Sequence, residues 1–494
     1  MAAHMTPEEF RRYGHEMVDW IARYWENLEN LPVTPDVRPG EVAARLPEQA
    51  PETGEDFTAV LADLDRVITP GMAHWQHPAF FGYFPANTSG PSVLGDLVSA
   101  GLGVQGMLWS TGPAATEVET VVLDWLADLL DLPKRFRSTS SGGGVIQDSA
   151  SSAALVATLA ALHRAGGGAW RTEGVRREYT VYTSTQAHSS IEKAARIAGI
   201  GDRNVRLVEV DEAYAMRPDA LRAALDADRA EGRIPALVVA TIGTTSTTAV
   251  DPLPEIGEIC REYGVWLHID AAYAGAAAVC PELRWSHAGL EYADSYCFDP
   301  HKWLLTGFDC DAFWVADRAE LVQALTVLPE YLRNAATESG EVIDYRDWQV
   351  PLGRRFRALK LWFVLRWYGA EGLREHIRSG VATAQRFAEW VRADERFEIA
   401  APHPFSLVCF RLRDSNASDD SGASDDSDAA NDSDAANEEL LRRVNATGQA
   451  FLTHTRVGGR YVLRLAVGAP STQERHAAGA WKLIQAAADD LDAG

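Results

Sequence analysis

Cysteine is scarce in this sequence: five thiols, Cys260, Cys280, Cys297, Cys310 and Cys409, stand among 494 residues and none is at paired spacing. That excludes a disulfide-stapled scaffold and a four-thiolate metal site, and it fits a reducing compartment. Cations are short as well, with 46 lysines and arginines against 70 acids and a formal charge of -24. A surface of that sign repels nucleic-acid phosphates and anionic lipid, so neither is expected as a partner. No apolar run is long enough to span a bilayer, and no basic start leads into an apolar segment of the signal-peptide kind, which makes the cytoplasm the expected location. The glycine and lysine spacings of the P-loop and of the dinucleotide fingerprint are both missing.

What is present is 46% hydrophobic residues, rich in alanine, leucine and valine, in a chain long enough for more than one domain. Thr6-Pro-Glu-Glu-Phe opens a helical stretch to about residue 30, with Met17, Trp20, Ile21 and Tyr24 on one face. That face packs on the body of the protein or is exchanged with a partner. A second helical stretch covers 57–67. The run His74–Pro85 is dense in rings, Trp75, Phe80, Phe81, Tyr83 and Phe84, which serve either as core or as the wall of a ligand site. Helices follow from residue 91 and over 116–130. Small residues from Ser140 to Ser151 then lead into an alanine-rich helix ending near Arg164. Open N–H groups there form either an anion cradle or a plain helix cap.

In the middle of the chain, strands at 179–183, 205–210, 237–242, 266–270 and 295–298 alternate with helices at 189–199, 218–229 and 254–263. That order predicts an α/β protein with a mainly parallel sheet covered by helices. A short strand at 313–315, a loop over 328–347 containing Tyr331 and a helix over 354–368 follow. Strands at 405–412 and 461–467 and a terminal helix at 472–491 give the end of the chain an α+β pattern. The division expected is a helical segment 1–85, a large domain 86–370 and a smaller domain 371–494. Residues 414–437 hold eight aspartates, no lysine or arginine and a repeated Ser-Asp-Ala-Ala-Asn. With no bulky apolar side chain to offset the entropy of ordering, they are expected to form a mobile, dispensable surface insertion.

The chemistry centres on Asp294–Trp303. Pro300 biases Asp299 towards an extended conformation, which predicts His301 and Lys302 at a strand end rather than inside a helix. Lys302, an aspartate closing the strand Trp266–Asp270, His188 after another strand and a small-residue cradle together suit pyridoxal phosphate. The amine carries that cofactor covalently, and an acid beside its ring nitrogen keeps the nitrogen protonated. His188 can lie flat on the ring, and the turn Gly243-Thr-Thr245 can bring a hydroxyl to it. His268 shares a strand face with Asp270 and is assigned to packing or a hydrogen bond. No metal site is expected.

His77-Pro-Ala-Phe-Phe-Gly-Tyr-Phe-Pro, Trp125-Leu-Ala, Gly142-Gly-Gly-Val-Ile-Gln and Gln186-Ala-His-Ser-Ser occur in that order. They are followed by Ala240-Thr-Ile-Gly-Thr-Thr, His268-Ile-Asp-Ala-Ala-Tyr-Ala-Gly, Pro300-His-Lys-Trp and Pro351-Leu-Gly-Arg-Arg-Phe-Arg. With these motifs the chain closely resembles the aromatic-L-amino-acid decarboxylases, the group II branch of the pyridoxal-phosphate decarboxylases. The resemblance covers nearly everything outside the acidic insertion. It implies fold type I, the aspartate-aminotransferase type, with a mainly parallel seven-stranded sheet flanked by helices and a smaller α+β C-terminal domain. It implies an obligate homodimer with active sites at the interface, partly built by an exchanged N-terminal region.

Residue by residue, the resemblance makes Lys302 the cofactor lysine, Asp270 the ring-nitrogen partner and His188 the stacking imidazole. Ser149, Ala150 and Ser151 would line the phosphate pocket, with Thr245, Ala272 and His301 near the cofactor. Trp75, Tyr83, Phe84, Pro85, Ala86, Gln105 and Met107 would form the substrate-ring pocket, Met107 from the other subunit. The implied reaction converts tryptophan, phenylalanine, tyrosine, DOPA or 5-hydroxytryptophan to the arylalkylamine and carbon dioxide. Tyr331 favours the amine, since its phenol can deliver a proton at Cα, whereas phenylalanine at that place accompanies oxidative deamination. The alternatives are an aromatic acetaldehyde synthase and a cofactor-binding homologue without catalysis. Asp299 and Gly307 stand where asparagine is common, Ala86 where threonine is frequent and Gln105 where an apolar residue is common; these departures bear on ring specificity.

Overall fold

A computed structural model of the chain describes residues 4–327, 336–337, 341–413 and 426–492. Tyr331 lies outside the described residues. Seven strands make the large sheet: β1 (Gly143–Gln147), β2 (Tyr179–Ser184), β3 (Val205–Val208), β4 (Ile234–Thr241), β5 (Trp266–Asp270), β6 (Ser295–Phe298) and β7 (Asp311–Val315). Their order is β1-β7-β6-β5-β4-β2-β3, parallel from β3 to β6, with β7 antiparallel to both of its neighbours.

Alternate residues of these strands enter two different cores, which is why the strands read as continuous apolar runs. Val238 and Ala240 of β4 join Leu267 and Ile269 of β5 on one face, over the helices Pro218–Ala230 and Leu253–Tyr263. Leu237 and Val239 pack on the other face with Val181 and the helix Ala150–Gly166. That helix presents Ala153, Ala154, Ala157, Ala160 and Ala161 to the sheet, so its axis lies close to it and its N-terminus is fixed tightly at the strand ends.

Two local expectations need correction. The sequence places Gly143–Gln147 within the small-residue stretch ahead of a helix, and the structure makes it strand β1. Here glycine is what the sheet requires: a Cβ on Gly144 would come within 2.7 Å of Nε1 of Trp314 from β7. The second correction concerns Lys302, which stands in one helical turn, Pro300–Trp303, and not at an extended strand end. Asp299 is extended as expected, and Pro300 occupies the first helical position, where it starts a helix instead of preventing one.

The small sheet is antiparallel, in the order β10-β11-β9-β8, from β8 (Phe397–Ile399), β9 (Leu407–Leu412), β10 (Thr453–Val457) and β11 (Arg460–Ala466). The helices Asp426–Ala446 and Glu474–Asp492 pack against it. The helix Ala358–Ala393 links it to the large sheet and is broken at Gly369, whose φ of 61° and ψ of 179° are non-helical. At the other end of the chain, Pro7–Asn27 is capped by Thr6 and Glu9, and none of its residues is buried. Among the described residues no helix is long and apolar enough to cross a membrane.

The acidic insertion also needs correction at its C-terminal end, since residues 426–437 belong to the helix Asp426–Ala446. Polar anchors hold it where apolar burial is lacking. Asp434 accepts from the Tyr461 amide at 2.7 Å and pairs with Arg456 at 2.7 Å. Fully buried Asn437 accepts from the Leu412 amide at 2.8 Å and donates to the Ser433 carbonyl at 2.9 Å. Asn437→Ala would strand the Leu412 amide at the end of β9. We expect a loss of about 1–3 kcal/mol in urea or thermal unfolding, against little change for an exposed alanine substitution in the same helix.

Candidate active site

The C-terminal ends of β4 and β5, the turn after β6 and the N-terminus of helix Ala150–Gly166 converge on a cavity of about 330 Å³. A larger hollow of about 550 Å³ lies beside the helix Pro7–Asn27, but no lysine lines it. Lys302 reaches the smaller cavity from its helical turn, and its Nζ is 2.6 Å from Oδ2 of Asp299. Burial alone would depress the amine's pKa, yet Asp299, with Asp270 further off, holds it above its ordinary value. Asp299 accepts also from the Ala150 amide at 3.2 Å, the first residue of the alanine-rich helix.

Asp270 ends β5 and is almost wholly buried, with one oxygen accepting from the Ala272 amide at 3.0 Å. His188 follows β2, and its Nδ1 accepts from the Ser190 amide at 3.2 Å, which leaves the proton of a neutral ring on Nε2. Burial lowers its pKa, outweighing the charge of Asp270. A neutral imidazole at the cavity wall can lie flat against a conjugated ring. His301 accepts from the Cys310 amide through Nδ1 at 3.0 Å and is likewise lowered by burial. Buried His268 contacts Ser295 through Nδ1 at 2.9 Å, the hydrogen bond assigned to it, and is pushed down to about 4 by burial.

Ser149, Ala150, Ser151, His188, Thr245, Asp270, Ala272, His301 and Lys302 all line the cavity, as do Tyr83 and Phe84. The turn carrying Thr245 depends on Gly243, at a φ of 84°, where a Cβ would press on the Ala274 methyl. Trp75, Pro85, Ala86, Gln105 and Met107 do not line this chain's own cavity, and Met107 is expected to serve that of the other subunit. Trp75 stands behind Tyr83, ring centroids 5.5 Å apart, and Pro85 packs on Gly468. The Ala86 carbonyl accepts from Gln76. Gln105 accepts from the amides of Met107 and Arg354, both at 3.1 Å, and the Met107 carbonyl accepts from the Arg346 amide.

Sequence reasoning missed Arg464, which lines the cavity from β11. Its guanidinium donates to the carbonyls of Thr245 at 2.8 Å and Ser246 at 3.1 Å, and to the Thr453 hydroxyl at 3.2 Å. It also lies over Phe84, 5.2 Å from the ring centroid, at the head of a stack continuing through Tyr273 to Trp303. These acceptors are neutral, and among the described residues no carboxylate pairs with the guanidinium, so its positive charge stands uncompensated at the cavity. The available signal was a cation inside an otherwise apolar strand, Tyr461-Val-Leu-Arg-Leu-Ala. Phe308, Tyr273 and Asp299 were likewise absent from the expected lining.

A lysine beside a helix N-terminus, an acid at the neighbouring strand end and a neutral histidine on the wall define an α/β enzyme built for a lysine-bound aldehyde cofactor. The pyridoxal-dependent decarboxylase conserved domain matches residues 39–413, and the chain belongs to that family. Tryptophan decarboxylase 2 of Oryza sativa subsp. japonica is 46% identical over 485 residues, 97% of this chain and 95% of that protein. Phenylacetaldehyde synthase of Arabidopsis thaliana is 46% identical over 491 residues, 99% and 97% of the two chains. The crystal structure of Oryza sativa TDC with PLP and tryptamine has a TM-score of 0.94 at 41% identity, covering 99% of this chain and all of that one.

Arg464→Met keeps the bulk of the side chain but removes three hydrogen bonds that tie β11 and β10 to the Thr245 turn. We expect about tenfold or greater weakening of pyridoxal phosphate binding, read by absorbance titration, with circular dichroism unchanged.

Proposed function

We propose that this protein decarboxylates aromatic L-amino acids to arylalkylamines with pyridoxal phosphate, as an aromatic-L-amino-acid decarboxylase. The observation that carries the reading is the cavity wall: the rings of Tyr83, backed by Trp75, and of Phe84 line it, and the Arg464 guanidinium lies over Phe84 with no carboxylate partner among the described residues. An amino acid brings one carboxylate to every site of this kind. Arg464 accounts for that carboxylate, and no second arginine lines the cavity for an acidic side chain among the described residues.

The residues present fit the cofactor. Lys302 would hold it through Nζ, Asp270 would keep the ring nitrogen protonated, His188 would cover one ring face, and Ser149, Ala150 and Ser151 would receive the phosphate at the helix N-terminus. Bound there, pyridoxal phosphate supplies a sink for the electron pair left behind by departing carbon dioxide. Arg464 and the ring stack orient the substrate so that the bond to its carboxylate is the one exposed to that sink. The buried surroundings favour loss of the charged group as neutral carbon dioxide. Tyr331 is read from the sequence as the proton donor at Cα, and that assignment favours amine over aldehyde. The relatives do not separate these outcomes, since a decarboxylase and an aldehyde synthase both stand at 46% identity.

A homodimer is the assembly we infer. The exposed apolar residues Phe10, Val18 and Trp25 on the N-terminal helix, Leu94, Leu97, Val98 and Leu102 on helix Gly90–Leu102, and Trp125 suit a second copy of the chain. Gln105 and Met107, at the end of one such face, would then serve the partner's substrate pocket. A cytoplasmic location is supported by the five free cysteines.

The test is a panel of aromatic and acidic amino acids with mass-spectrometric detection of amine and aldehyde. We expect amine from at least one aromatic substrate and none from glutamate; equal aldehyde and amine would overturn the role of Tyr331. Lys302→Ala should lower turnover by about a thousandfold or more, and wild-type turnover in that variant would remove the lysine from the chemistry.

A further inference from the structure

Beneath Lys302 lies a second carboxyl group that the reaction as described does not use. Asp311 opens β7 opposite Gln147 of β1 and is fully buried. Neither of its oxygens meets a hydrogen-bond donor, and β7 runs antiparallel to β6 with Ala312 opposite Phe298, so Asp311 stands across from Asp299, the next residue on each strand. Two carboxyls facing each other in a dry interior, one of them with no donor of its own, share a proton rather than both stay charged. Asp299 already accepts from Lys302 at 2.6 Å and from the Ala150 amide at 3.2 Å, with His301 Nε2 at 3.7 Å. The proton therefore belongs to Asp311.

We propose that Asp311 is a positioning acid that keeps its proton at neutral pH, donates it to Asp299 and so holds that carboxylate as the single counterion between Lys302 and the N-terminus of helix Ala150–Gly166. The consequence is one negative charge against one ammonium, in a place that must also accept the dianionic phosphate of the cofactor. A second negative charge there would repel it. The electrostatics agree in direction: burial and the charge of Asp299 push Asp311 well above the carboxylate range, while Lys302 and His301 overcome burial to hold Asp299 below it. The other groups facing the pair are Asp270 from β5, Tyr296 and Cys297 from β6, Cys310 just before β7 and His188 after β2. Asp309, Lys360 and Arg357 act on the adjoining Cys310.

The inference rests on Lys302 as the cofactor lysine, and the experiment separates the two. The full-length chain is stripped of cofactor, and the rate of pyridoxal phosphate capture is followed by absorbance from mildly acidic to alkaline pH, with borohydride fixation and peptide mapping. Failure of wild-type protein to fix the cofactor at Lys302 would sink the lysine assignment. Given fixation there, Asp311→Asn preserves the donor to Asp299 but cannot ionise. It should match wild type at neutral pH and lack the alkaline fall in capture that wild type shows when Asp311 loses its proton.

Asp299→Asn removes the anion that raises the amine, so burial then dominates and the amine titrates lower. The acid limb of the capture profile should move down by at least about one pH unit, about tenfold faster capture on that side. The inference is overturned by an Asp311→Asn profile that keeps the wild-type alkaline fall, or by a folded Asp311→Asn protein that captures cofactor more than about tenfold slower at neutral pH. An acid limb unmoved in Asp299→Asn also overturns it, and that arm decides alone should Asp311→Asn not fold.

Discussion

An ammonium set against a dry wall has to be matched by an anion, and much of the site follows from how this chain does it. Lys302 is part-buried, and the 2.6 Å contact with fully buried Asp299 outweighs that burial and favours its ammonium form. Asp299 in turn is held by the helical turn that begins at Pro300, by the first amide of helix Ala150–Gly166 and by Asp311 at the start of β7. Strand, helix and turn therefore meet at one carboxylate, and the cavity is organised around that meeting.

The alanine face of helix Ala150–Gly166 has the same logic at larger scale. Small side chains let the helix approach the sheet closely, which brings its N-terminal amides level with the ends of β4 and β5. Arg464 closes the opposite side by tying the small sheet to the Thr245 turn through neutral acceptors. The cavity is thus a joint between two sheets, and among the described residues the cation without a carboxylate partner is contributed by the smaller of them. This arrangement suits a ligand that carries an anionic group of its own.

Much of the fold was legible because burial on both faces of a parallel sheet writes itself as unbroken apolar runs, as in Leu237-Val-Val-Ala. The helices between them were legible from their own periodicity. β1 was not, since its glycines are demanded by Trp314 across the ladder, a neighbour 170 residues away in the chain. The folded end of the acidic segment was hidden for a related reason: composition measures apolar burial, whereas Asp434 and Asn437 are ordered by hydrogen bonds to β11 and β9.

The sequence by itself determined the chemistry on offer: a lysine after Pro-His, an aspartate closing a strand, a histidine at a loop and rings gathered in one stretch, with a family resemblance to order them. Those are local facts, carried by residue type and short spacing. Only the tertiary structure decided who partners whom. It gave Lys302 to Asp299 and not to Asp270, brought Asp311 against that same carboxylate, delivered Arg464 from the far end of the chain and kept Gln105 and Met107 out of this chain's own cavity. Charge pairing and desolvation depend on distances through space, and distances of that kind are fixed by the packing of the two sheets.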